Sequence, residues 1–314
     1  MSRRAVIRWG RSAYETDYAL QLEREAAERL GLEWRLCPSL VPPDALERAG
    51  ALVVTSGVRV DAGALRRFAG DLVITTTSGF DHVDLTAAEA GGIAVLRLPQ
   101  ARRDAVAEHA LACLLHLSRR LGPQLEASRH GAWARGALPA MSPRSVRGSE
   151  VLVVGLGVIG RRVAALLQAM GAHVLGVDPG GVPTGVEEVA LADGLRRCDA
   201  VTLHCDLNPS SEGLLHRGAL ALLRPHAIVV NTARGALLDV EEAVRAVTEG
   251  RLGGLAVDVF PSEPWPALAV DHPAVLFTPH AAGYTEELGA RVAEGVEGAL
   301  RAWVEGAPLP HRVR

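Results

Sequence analysis

The sequence predicts an α/β molecule built from two doubly wound parallel-sheet domains, and three observations carry that expectation. Short apolar runs alternate with amphipathic stretches in two separate series along the 314 residues. A Gly-x-Gly-x-x-Gly turn opens the second series directly after an apolar run. Hydrophobic residues make up 48% of the chain, enough to fill two cores.

In the first series, Ala5–Trp9, Ala51–Thr55, Leu72–Thr76 and Ile93–Leu96 read as strands. Asp17–Leu30, Asp61–Phe68 and Leu85–Ala90 read as helices with apolar residues at helical spacing or an N-capping Asp at the start. Pro99 precedes a helical pattern over Asp104–Leu121, and Gly131–Gly148 has no clear period and reads as a connection. The second series places strands at Val151–Gly155, His173–Asp178, Ala200–His204, Ala227–Asn231, Leu255–Val259 and Val275–Thr278. A closing helix is expected over Glu286–Val304.

Bulk properties narrow the function. A formal net charge of −3 gives no reason to expect nucleic acid as a partner. Every basic side chain is an arginine, which excludes a Schiff-base lysine. Cys37, Cys113, Cys198 and Cys205 form no Cys-x-x-Cys pair, so reduced thiols and no metal are expected. Met1-Ser2-Arg3-Arg4 leads straight into a strand-like run, and no apolar stretch has signal-peptide form or membrane-spanning length, so the expectation is a cytoplasmic protein with no membrane partner.

The turn Gly155-Leu156-Gly157-Val158-Ile159-Gly160 lies between an apolar strand run and a helical pattern over Arg161–Met170. Gly155 permits the tight turn, Gly157 lets a pyrophosphate approach the backbone, and Gly160 lets helix and strand pack closely. The next strand ends at Asp178, where a carboxylate accepts the ribose hydroxyls of NAD and repels the 2′-phosphate of NADP. NAD is therefore the expected cofactor, bound in a Rossmann domain.

Three further segments follow predicted strands: Asn231-Thr232-Ala233-Arg234-Gly235, Asp258 to Pro264, and Thr278 to Thr285. Arg234 suits a substrate carboxylate and polarises the adjacent carbonyl. His280 suits proton delivery to that carbonyl oxygen as hydride arrives at carbon, and Glu263 suits the other ring nitrogen, fixing the tautomer. Arg234, Glu263 and His280 are the expected catalytic set.

These pieces, with Ser78-Gly79-Phe80-Asp81-His82-Val83-Asp84 and Ala105-Val106-Ala107-Glu108-His109, resemble the D-isomer-specific 2-hydroxyacid dehydrogenase family over nearly the whole chain. The resemblance implies a discontinuous flavodoxin-like substrate domain (residues 1–99 and 286–314) around an NAD-binding Rossmann domain (100–285), with a cleft that closes about hinges near Pro99 and Thr285–Glu286. It implies NAD contacts from Gly155, Gly157, Val158, Ile159, Gly160 and Asp178. Ala233, Asp258 and Gly283 join them, with Asp258 holding the nicotinamide carboxamide. It implies a homodimer, and substrate contacts from Ser78 and Gly79. His109 and His204 read as structural. After His204 the family's usual Pro and Thr are replaced by Cys205-Asp206-Leu207-Asn208, and Cys205 has no evident activating base.

The substrate stays open among glyoxylate, hydroxypyruvate and related 2-keto acids. Val54-Thr55-Ser56, Asp81 to Asp84 and His280 to Thr285 resemble the 4-phosphoerythronate dehydrogenases, in which Ser56, Thr77 and Tyr284 would match substrate contacts. Against that reading, Thr55 stands where those enzymes have an arginine, and the chain ends at Arg314 without their extra C-terminal domain. A further alternative is an NAD(H)-sensing corepressor. Both readings expect NAD binding, and only the enzyme consumes NADH with a 2-keto acid.

Overall fold

The computed structural model describes residues 5–12, 15–265 and 270–313. The reading made on Met1 to Arg4 lies outside these. The chain divides into two compact units, Met1–Arg102 with Thr285–Arg314, and Arg103–Tyr284.

The first unit is a parallel sheet of β1 (Ala5–Trp9), β2 (Glu33–Cys37), β3 (Ala49–Val54), β4 (Leu72–Thr75) and β5 (Ala94–Arg97), in the order β2-β1-β3-β4-β5. That is the flavodoxin-like order. β2 has no counterpart in the sequence reading. It is an edge strand whose Glu33 and Arg35 face solvent, so its alternation carries too few apolar residues to stand out. Helix Leu288–Glu305 buries Leu288, Val292, Val296 and Leu300 against strand residues Val6, Val53, Ile74 and Leu96. On the other edge strand, β5, Val313 N donates to Val95 O (2.8 Å) and covers part of the edge.

The second unit is a parallel sheet of β6 (Glu150–Val154), β7 (His173–Val177), β8 (Glu187–Glu188), β9 (Ala200–Leu203), β10 (Ile228–Asn231), β11 (Gly254–Val257) and β12 (Val275–Phe277). The order is β12-β11-β10-β9-β6-β7-β8, the dinucleotide-binding arrangement with one added strand. The direction of winding reverses between β6 and β9, so the switch point lies there.

Several expected boundaries shift. Helix Pro99–Ser118 starts at the proline itself, which fits a first helical turn because its missing N–H is unneeded there. Helix Val158–Ala169 starts three residues before the expected Arg161, immediately after Gly157. The stretch read as connection contains a 3-10 turn at Ala134–Ala137 and a helical turn at Leu138–Met141. Helix Pro99–Ser118 packs Ala107, Ala110, Leu111 and Leu114 on Val151, Val153, Val230 and Ala256 of the seven-stranded sheet.

Candidate active site

β10, β11 and β12 are parallel neighbours, so their carboxyl ends lie side by side, about 4.8 Å apart from one strand to the next. Arg234, Glu263 and His280 follow these three ends in turn. Asn231, fully buried, shapes the first turn: its Oδ1 accepts Ala233 N–H (3.1 Å) and its Nδ2 donates to Arg234 O (2.9 Å). Arg234 is half-buried, with Nη1 on Ala233 O (2.7 Å). A Cβ at Gly235 would lie 2.0 Å from the Phe260 carbonyl carbon, so only glycine lets the segments after β10 and β11 meet.

The second segment is braced by its aromatic rings. Phe260 stacks on Trp265 (5.7 Å between centroids) and meets Phe277 edge-on (5.3 Å). Phe260 N–H donates to Glu263 Oε1 (3.1 Å), and Glu263 Oε2 lies 2.7 Å from His280 Nδ1. With Nδ1 bonded to a carboxylate, the proton sits on Nδ1 and Nε2 is left for proton transfer. Both side chains are solvent-facing, at 56% and 38% exposure, so screening limits the pair's contribution to stability. Its effect is on ring orientation.

His280 has φ +54°, left-handed backbone that costs a non-glycine residue about 1 kcal/mol or more. Buried Asp258 holds it there. Asp258 Oδ1 accepts Thr278 Oγ1–H (2.6 Å) and Ala281 N–H (2.8 Å), Oδ2 accepts Ala282 N–H (2.9 Å), and Asp258 O accepts His280 N–H (2.8 Å). The residue expected at the nicotinamide carboxamide is thus also the organiser of the His280 loop. Sequence reasoning missed this second role, and missed Asn231; the available signal was an Asp or Asn placed directly at a strand end before a tight turn.

At the switch point, Gly155 has φ +88°, and a Cβ at Gly160 would fall 1.8 Å from Gly155 O. Gly157 faces open space, with nothing within 4 Å of where its Cβ would be, and no side chain caps the helix it starts. Val158 and Ile159 form the first turn, half-buried. The Asp178 carboxylate accepts Leu156 N–H on Oδ2 (2.6 Å) and Gly180 N–H on Oδ1 (2.7 Å). An open glycine cradle, an uncapped helix start and a carboxylate with lone pairs to spare fit a dinucleotide. Ala233 and Gly283 are half-buried at the ends of the loops after β10 and β12.

The remaining expected contacts divide between the units. In the first, Ser56 is exposed and Thr55 is buried. The Thr77 hydroxyl is engaged internally, donating to Gly79 O (2.8 Å) and meeting Thr75 Oγ1 (2.9 Å), while His82 Nε2 meets the same Thr75 hydroxyl at 3.0 Å. Ser78 Oγ is buried without a partner, and Gly79 is buried beside it. In the second unit Tyr284 is exposed.

Burial pushes the Cys205 thiol up to about 11, which leaves it a poor nucleophile. Burial pushes His204 down to about 3; its Nε2 lies 2.8 Å from Thr202 Oγ1, a neutral structural arrangement. Among the described residues no group of three His, Cys, Asp or Glu side chains is gathered to hold a metal, and no helix is long and apolar enough to cross a membrane.

Residues 111–282 match the family model "D-isomer specific 2-hydroxyacid dehydrogenase, NAD binding domain". The D-3-phosphoglycerate dehydrogenase of Mycobacterium leprae is 36% identical over 281 residues, covering 86% of this chain and 52% of that protein. The chain thus spans about half the length of the curated relatives it matches. A solved protein of Thermus thermophilus superposes with a TM-score of 0.80 at 31% identity, covering 98% of this chain and all of that one. The Aquifex aeolicus D-lactate dehydrogenase complexed with NAD and lactic acid shares the fold, with a TM-score of 0.82, 24% identity and 96% of each chain covered.

Proposed function

This chain belongs to the D-isomer specific 2-hydroxyacid dehydrogenase family and carries that family's NAD-binding domain, and from that premise we propose that it interconverts a small 2-keto acid and the D-2-hydroxy acid with NAD as cofactor. The observation that carries the reading is the His280 Nδ1–Glu263 Oε2 contact of 2.7 Å, on segments that follow β11 and β12 while Arg234 follows the adjoining β10, in the sheet that bears the Gly155–Gly160 turn.

When bound, NADH would supply the hydride. Arg234 holds the substrate carboxylate and draws electron density from the adjacent carbonyl. His280 gives the carbonyl oxygen its proton from Nε2, and Glu263 stabilises the ring in the form that carries it. Gly155 to Gly160 would hold the pyrophosphate, and Asp178 would take the ribose hydroxyls. Asp258 Oδ2 accepts one bond from the loop and keeps a lone pair for the carboxamide. We assign Met1–Arg102 with Thr285–Arg314 as the substrate domain and Arg103–Tyr284 as the NAD-binding domain.

A small, unphosphorylated substrate is favoured, because buried Thr55 puts no cation where the 4-phosphoerythronate enzymes have an arginine. The partner we assign is a second copy of the chain. Helix Leu121–Arg129 and the turns Ala134–Ala137 and Leu138–Met141 bury none of their residues, and Leu125 and Trp133 stand 49% and 88% exposed. Four unpaired cysteines, three of them buried, suit a reducing compartment, and we place the protein in the cytoplasm.

NADH absorbance should fall with at least one of glyoxylate, hydroxypyruvate and pyruvate, and 3-phosphoglycerate and 4-phosphoerythronate should be tried with NAD in the reverse direction. His280→Ala should lower kcat by about 10²–10⁴-fold with the NADH Kd nearly unchanged. Retained turnover in that variant overturns the assignment. NADH binding without turnover on the whole panel transfers the case to an NAD(H)-sensing protein.

A further inference from the structure

We propose that His109 is a positioning residue for His280, acting through Thr278 and Asp258; this rests on the reaction assigned above. His109 Nε2 lies 3.2 Å from Thr278 Oγ1 and 3.9 Å from Asp258 Oδ1. Thr278 has a single hydroxyl proton, and it goes to Asp258 Oδ1 at 2.6 Å. The hydroxyl therefore meets His109 only as an acceptor, so His109 carries a proton on Nε2 and donates it.

The chain His109 to Thr278 to Asp258 ends on the loop whose Ala281 and Ala282 N–H groups Asp258 also receives. That loop keeps His280 at φ +54° and its Nδ1 in reach of Glu263. His109 itself is set on helix Pro99–Ser118 by neighbours buried against the seven-stranded sheet, Ala107, Ala110 and Leu111. The loop that sets His280 is thus anchored, through Asp258 and Thr278, to a helix packed on the seven-stranded sheet. Without the His109 donor, Thr278 can rotate and Asp258 loses the fixed geometry of one of its three side-chain bonds.

The tautomer is read first, on the uniformly ¹⁵N-labelled protein by long-range ¹⁵N–¹H correlation. The Nε2–H form of His109 is expected; the Nδ1–H form overturns the proposal. His109→Leu removes the donor, and His109→Gln restores an N–H near the same place. His109→Leu should lower kcat by about tenfold to a hundredfold, with the substrate KM within about twofold, and should displace the limb of the pH–kcat profile that His280 sets. His109→Gln should recover most of the rate and the pH profile. An unmoved profile in His109→Leu, or equal losses in both variants, would show packing alone and sink the idea. If the unaltered protein turns over no 2-keto acid, the reaction assignment fails separately. In that event the NMR titration of His280 still decides: a shift in His109→Leu that is absent in His109→Gln supports the positioning role, and identical titration in both rejects it.

Discussion

Each oxygen of the Asp178 carboxylate accepts one backbone N–H, and each keeps a lone pair, which we propose for the ribose hydroxyls. The carboxylate is therefore fixed before a cofactor arrives, and its charge opposes a 2′-phosphate. Asp178→Ala should raise the NADH Kd and narrow the NADH/NADPH preference, measured by fluorescence titration with both cofactors. Equal affinity for the two in the unaltered protein would remove Asp178 from this role. The same residue-scale logic covers His280: its type and its order behind the glycine turn are what the sequence shows of the chemistry we propose for it. Its left-handed backbone and its dependence on Asp258 are not, since they arise from hydrogen bonds across a separation of more than twenty residues.

At the scale of elements, the parallel strands were legible because strands buried on both faces are continuous apolar runs, as in Val151 to Val154 and Val229 to Val230. β2 and β8 were not, for both sit at sheet edges and carry charge. The junction of β6 with helix Val158–Ala169 offers a direct test. A side chain at Gly160 must meet Gly155 O at 1.8 Å from its Cβ, against backbone that cannot rotate away. Gly160→Val should therefore abolish measurable NADH binding and cost about 1–3 kcal/mol or more in urea unfolding. Gly157→Ala, whose Cβ points into open space, should leave stability unchanged and weaken NADH binding alone. Equal stability losses in the two variants would contradict this division of roles.

Each of the two units buries one titratable group whose shift bears on stability, and these two groups act in opposite directions as pH falls. In the first, Arg8 is fully buried between Glu15 and Glu23, and burial, reinforced by Glu15, pushes Glu23 up to about 7 against the pull of Arg8. A raised carboxyl favours folding below its unfolded value of 4.5 and loses that contribution as pH climbs through about 7. In the second, His204 is depressed from 6.5 to about 3, so its contribution is complete above 6.5 and is lost as pH falls toward 3. Each group changes stability by at most about 1.4 kcal/mol per pH unit in its window. Between pH 4.5 and 6.5, Glu23→Gln should remove a fall of stability with rising pH, seen in amides of β1 and β3. His204→Asn should remove a rise with pH, seen in amides of β6 and β9. Hydrogen exchange corrected for intrinsic rates measures both, and parallel pH slopes in variant and parent would refute the assignment. The proposed assembly is tested at the same scale: the unaltered chain should be a dimer in light scattering, and Trp133→Glu, alone or with Leu125→Glu, should be a monomer with the far-ultraviolet dichroism unchanged, whereas a monomeric parent overturns the assignment. A dimer that persists in both places the interface elsewhere.

The amino-acid sequence by itself determined the fold class, and it located the glycine turn and the strand-end segments carrying Arg234, Glu263 and His280 to which we assign the chemistry, because these are local: period, glycine placement and residue type at strand ends. Tertiary structure decided how the three are held. Asn231 turns Arg234 out of β10, Gly235 lets two segments touch, and Asp258 with His109 shapes the loop of His280. These constraints join residues distant in the chain through hydrogen bonds and close contacts, and a sequence read along its length carries no signal of which buried polar group meets which until the sheet order brings them side by side.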